Sequence, residues 1–148
     1  MPCMAHEATL IDGKAIAAQV LQTATEKVDR IKQVSGTTPT LATVLVGEDP
    51  ASETYVRMKG KRCEAAGMNS LRVTLEAAIG TRTLVAKITE LGNDADVHGI
   101  LLQHPVPEHI DERAGFEAIP LAKDVDGVTA TGLGRMWLGV PTWASCTP

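Results

Sequence analysis

The chain has 148 residues, an apolar share of 44% and a formal net charge of −4, which is one domain's length and ordinary globular usage. Its basic residues are scattered apart from a loose group (Arg57, Lys59, Lys61, Arg62), which argues against nucleic acid as the main partner. No apolar run approaches the roughly 18 residues of a membrane helix, so no membrane partner is expected.

The opening "MPCMAHEATL" lacks the basic n-region and apolar core of a signal peptide. Three cysteines (Cys3, Cys63, Cys146) form an odd count without metal-type spacing. Together these point to a reducing, cytoplasmic setting and to incidental or structural thiols.

In chain order, Asp12 to Val34 reads as a helix. Ile16, Val20, Leu21, Ala24, Val28 and Ile31 make one stripe at spacings of three and four. Asp12 suits the N-cap and Gly36 the stop. "TLATVLVG" (40–47) is a continuous apolar run, as in a strand buried on both faces. Asp49 and Pro50 then open a second helix, expected to reach about Ala66 with Gly67 at its end. "SLRVTL" (70–75) suits a strand. Thr81 to Leu91 suits a helix with Leu84, Val85, Ile88 and Leu91 inward. "VHGILLQ" (97–103) is a third strand, followed by a short helix near Asp111 to Ala118, the polar loop "KDVDG" (123–127), and a last short helix in "GLGRMWLG" (132–139).

Strand and helix therefore alternate three times. The pattern predicts an α/β domain of three layers: a mostly parallel sheet with right-handed crossovers and helices on both faces. Ligands of such sheets sit outside the carboxyl ends of the strands. The turn after Gly47, the residues after Leu75 and the turn at Gln103 should collect there.

Ser52, Tyr55, Val56 and Lys59 share one stripe of the second helix. A ring beside an amine can stack on a planar heterocycle while the amine moves a proton. Spacing alone favours a solvated surface pair instead. Gln103 ends the third strand and can orient a neighbouring lysine or a ligand, or merely cap its turn. Asp124 and Asp126 stand two apart. Such a carboxylate can accept paired hydrogen bonds from an amino-pyrimidine edge, or close an Asx turn at Gly127. "GLG" (132–134) is not a full dinucleotide fingerprint. The four histidines (His6, His98, His104, His109) lack metal-site spacing, so no metal is expected.

Four ordered stretches, "GEDPASETYVRMKGKRCEAAGM" (47–68), "HGILLQHPVP" (98–107), "KDVDGVT" (123–129) and "CTP" (146–148), resemble the methylenetetrahydrofolate dehydrogenase/cyclohydrolase family over nearly the whole chain. The resemblance implies the family's first, folate-binding domain, spanning 1–148. The second domain, a Rossmann-type unit that binds NADP or NAD, has no counterpart here. By position, Lys59 matches the catalytic lysine and Gln103 the glutamine that tunes it. Tyr55 matches the tyrosine that stacks on the substrate's pterin side, and Asp126 the carboxylate that holds the pterin. Ser52 and Thr147 match lesser pocket positions. His104 and Ser145 depart from the family's usual Leu or Met and Pro.

The implied substrate is a tetrahydrofolate derivative. The implied reactions are oxidation of 5,10-methylenetetrahydrofolate and hydrolysis of the methenyl product to 10-formyltetrahydrofolate. The family's homodimer forms largely through the second domain, which leaves little basis for a dimer of this stretch alone. A non-catalytic folate-binding or assembly module is the alternative.

Overall fold

The computed structural model describes residues 10–142. Three strands, β1 (Thr40–Val46), β2 (Asn69–Leu75) and β3 (Gly99–Leu102), form one parallel sheet in the order β2-β1-β3. The helices are α1 (Gly13–Ser35), α2 (Pro50–Ala65), α3 (Thr81–Asn93), α4 (Glu112–Glu117) and α5 (Ala130–Trp137), with a 3₁₀ turn at Leu121–Lys123.

The predicted boundaries are met by specific backbone devices. The Asp12 carboxylate accepts from the Lys14 and Ala15 N–H groups, and Gly36, at φ +70°, ends α1 in the left-handed conformation that glycine adopts without cost. Pro50 occupies the first turn of α2 behind the Asp49 cap. The third strand is shorter than the 97–103 reading. Its pairing nevertheless extends at both ends, through His98 N–H to the Thr40 carbonyl and Gln103 N–H to the Val44 carbonyl. The last helix starts two residues earlier than expected because Thr129 caps it on the Gly132 N–H.

Register assigns each strand residue to a face. Ala42, Val44 and Val46 of β1 join Leu84, Ile88 and Leu91 of α3, with Ile100 and Leu102 of β3, in the main core. Val73 and Leu75, paired with Val44 and Val46, pack against the same core. The opposite face belongs to α2. Ser70, Arg72, Thr43 and Leu45 lie there, and the ties are explicit: Arg72 bonds Glu53 of α2. A Cβ on Gly60 would stand 3.2 Å from the Ser70 hydroxyl, so this glycine sets how closely α2 approaches the sheet. Leu101 and Gln103 continue this face into β3.

The apolar stripe of α1 is real, but the described residues bury only Val28 of it. Ile16, Val20 and Ile31 remain exposed. The helix crosses the outside of α2, where a cavity of about 420 Å³ is lined by Ala17, Val20, Leu21, Ala24, Arg62, Cys63, Ala66 and Met68. Most of this stripe has no cover among the described residues.

One polar atom stands out in the α2 face. The Thr43 hydroxyl is buried and has no hydrogen-bond partner among the described residues. An unsatisfied buried hydroxyl costs about 1–3 kcal/mol. Replacing Thr43 by valine, which keeps the shape and the strand preference, is expected to raise the chemical-denaturation stability by about 1 kcal/mol. A lower or unchanged midpoint would mean that the hydroxyl is satisfied in solution.

Candidate functional site

The strand order reverses direction at β1: the chain steps from β1 to β2, then back across to β3. The crevice at such a switch point is where ligands of open α/β sheets bind. Gln103 sits at this edge, immediately after β3, and its backbone N–H extends the pairing with β1 at 2.8 Å. It is buried, with 7% of its surface exposed. By register it points to the α2 face.

There it meets Lys59. The Lys59 Nζ donates to the Gln103 Oε1 at 3.2 Å, across 44 residues of sequence. The other end of the amide is also fixed, because Gln103 Nε2 donates to the His104 carbonyl at 2.9 Å. Both hydrogen-bonding ends of the amide are thus committed. The oxygen must face the lysine, which holds the amine at the rim of the crevice.

Tyr55 lies one turn before Lys59 and is 60% exposed. A phenol ring presented to solvent beside a half-buried amine is a platform on which a flat ring can stack. Ser52 lies deeper, 3% exposed. Its N–H donates to Asp49 at 2.7 Å. The four residues read as one stripe therefore divide: Ser52 and Val56 form the buried edge, Tyr55 and Lys59 the open rim. Asp49 is held below the usual carboxylate range, first by that backbone N–H and then by the Ser52 hydroxyl.

The two aspartates of the polar loop separate as cleanly. Asp124 is buried and accepts from the Gly127 and Val128 N–H groups through Oδ1 and from Thr129 N–H through Oδ2. It is the Asx turn that composition suggests, and it also bridges Ile100 of β3 in parallel. Asp126, two residues on, is half-buried and makes no hydrogen bond among the described residues, so its acceptors are available to a ligand. The family resemblance singles out Asp126 from the pair, and the loop's folded amides show that Asp124 is committed to the turn.

Other groups resolve as structural. Burial and, secondarily, Glu64 push the Cys63 thiol up, which keeps it protonated and poorly nucleophilic. His104 lies edge-on to Phe116, ring centroids 6.3 Å apart. A cavity of about 650 Å³ is lined by Leu121, Ala122, Arg135, Pro141 and Thr142 and includes none of the predicted site residues. Thr147 and Ser145 lie outside the described residues, as do Cys3 and Cys146. "GLG" (132–134) sits inside α5, not in a strand-to-helix turn. This glycine pair is therefore not the phosphate-binding turn of a dinucleotide fingerprint.

Residues 11–126 match the tetrahydrofolate dehydrogenase/cyclohydrolase family, catalytic domain. The chain belongs to this family. It is 61% identical over 141 residues to the bifunctional protein FolD of Psychrobacter arcticus, covering 95% of this chain and 48% of that protein. Among solved structures, it resembles the bifunctional FolD enzyme of Campylobacter jejuni with a TM-score of 0.90 and 41% identity, covering 93% of this chain and 49% of that one. It also resembles the Trypanosoma brucei enzyme, solved with NADP and an inhibitor, with a TM-score of 0.82 and 32% identity, covering 88% and 44%. The chain spans about half the length of the curated relatives it matches.

The Asp49 cap gives a pH signature. Its carboxyl titrates lower in the folded chain than the ordinary 3.8. Its contribution is therefore complete above that value and fades as the pH falls through the lower folded one. The melting-temperature gap between the native chain and Asp49→Ala is expected to be constant from pH 7 to 5 and to narrow below about pH 4. A gap that stays constant into acid would show that the carboxylate is not the cap's working form.

Proposed function

We propose that this chain supplies the folate site of a methylenetetrahydrofolate dehydrogenase/methenyltetrahydrofolate cyclohydrolase. In the complete protein the reactions are oxidation of 5,10-methylenetetrahydrofolate and hydrolysis of the methenyl product to 10-formyltetrahydrofolate. The observation that carries this reading is the Lys59–Gln103 hydrogen bond at the switch point, with Tyr55 exposed one turn away. The names of its FolD relatives support the same chemistry.

In this reading Tyr55 stacks on the pterin side of the substrate and Asp126 accepts from its amino-pyrimidine edge. Ser52 and, by its position in the family motif, Thr147 are lesser substrate-binding residues. Lys59 is the proton-transfer group. Water adds through oxygen to the methenyl carbon and loses one proton; the hydroxyl so formed loses its proton as the formyl C=O forms and the bond from that carbon to N5 breaks, N5 gains a proton, and the formyl group stays on N10. One proton is released overall. Gln103 holds the amine where it can relay protons during these steps. A nicotinamide nucleotide, NADP or NAD, would supply the hydride acceptor for the oxidation.

The substrate is a small folate, with neither nucleic acid nor membrane as a partner. A homodimer and a cytoplasmic setting belong to the complete enzyme. No described helix is long and apolar enough to cross a membrane.

With Tyr55 60% exposed, the crevice excludes water poorly on its own. Weak or no hydrolysis is expected from the chain alone, which is also what a non-catalytic folate-binding module would show. The two readings separate when the chain is joined to the remaining half of the Psychrobacter arcticus relative. Absorbance of methenyltetrahydrofolate should then decay enzymatically. Lys59→Met should slow that decay by about a hundredfold or more, while 5-formyltetrahydrofolate still binds within about threefold. Unchanged hydrolysis in that variant would sink the assignment of Lys59.

A further inference from the structure

The loop that carries Asp126 is gripped from two sides. From within, Asp124 accepts from the N–H groups of Gly127, Val128 and Thr129. From outside, two residues of α4 take hold of the next stretch. Arg113 donates through Nη1 to the Val128 carbonyl at 2.9 Å. Glu117 accepts from the Ala130 N–H at 2.8 Å. The second Nη of Arg113 pairs with that same Glu117 oxygen.

The outer grip is not needed to build α4. Asp111 caps this helix on the Ala114 N–H, and Gly115 seats it against Leu84 and Leu102. An i,i+4 pair on an exposed helix face contributes only about 0.3–0.5 kcal/mol. This pair differs in reaching beyond its helix. It bonds the main chain on both sides of Thr129, the residue that caps α5. It also faces a loop already bridged to β3, the strand that leads into Gln103.

We propose that Arg113 and Glu117 are positioning residues that hold Asp126 in the place where it accepts from the substrate. The proposal rests on the folate reading above. Asp126 carries no hydrogen bond of its own among the described residues, so the position of its carboxylate depends on how the backbone on either side is held. Asp124 secures the near side. The α4 pair secures the far side, and it ties the loop to a helix packed on Leu102, next to the Lys59–Gln103 bond.

The test is a double-mutant cycle on the 148-residue chain, with binding of 5-formyltetrahydrofolate followed by calorimetry. The side chains of Arg113 and Glu117 are 50% and 39% exposed, so their substitution should leave the fold intact. Asp126→Ala should weaken binding about tenfold or more. Glu117→Ala should weaken it roughly fivefold. Glu117→Gln keeps an oxygen for the Ala130 N–H and should stay within about twofold. In the Asp126→Ala background, Glu117→Ala should add nothing, because it acts through that carboxylate.

If Asp126→Ala weakens binding while Glu117→Ala is silent, or its effect simply adds, the positioning role is overturned and the folate site stands. If Asp126→Ala changes nothing, or the native chain does not bind the ligand, the folate reading itself fails and the positioning role falls with it.

Discussion

The parallel pairing of β1 with a strand on each side governs the rest of this structure. Parallel neighbours cannot be joined by a tight turn, so each step between strands requires a crossover helix. The step from β1 to β2 and the return to β3 run in opposite directions across the sheet. With crossovers of one hand, α2 and α3 must then lie on opposite faces. The same reversal pulls the connections apart at the carboxyl edge between β1 and β3. The crevice is a by-product of how the sheet is wound.

That geometry explains why one face of β1 is dry and the other carries chemistry. Towards α3 the strands offer Ala42, Val44, Ile100 and Leu102, and the contact is wholly aliphatic. Towards α2 they offer Thr43, Arg72 and finally Gln103. The α2 helix answers with small residues where it must come close and with long polar ones at its margins. Gly60 meets Ser70, Glu53 reaches Arg72 and Lys59 reaches Gln103. The lysine is held by a neutral amide instead of a carboxylate.

The order of the elements was legible from residue pattern because burial and backbone chemistry are local. Asp12, Gly36, Asp49, Pro50 and Gly67 punctuate the chain, and the apolar runs between them have the right periods. The α1 stripe was legible as a helix and misleading as a core. Periodicity reports which side of a helix is apolar, whereas burial depends on what lies against it. The site was legible in part. Tyr55 and Lys59 are neighbours by helical spacing alone, but the approach of Gln103 spans 44 residues and follows from strand register. Arg113 and Glu117 stand at the i,i+4 spacing of a surface ion pair, and nothing local marks them as reaching another loop.

The family membership and the alternation of strands and helices are properties of the linear sequence. Each depends on residue type and on separations of a few positions. Tertiary structure showed that Asp124 of "DVD" is committed to the loop while Asp126 makes no hydrogen bond among the described residues, since that depends on where three backbone N–H groups turn. It decided that Lys59 leans on Gln103 and that α4 grips the loop after Asp126. These are contacts between distant segments, and their distances are set by sheet register and helix packing, which no local pattern encodes.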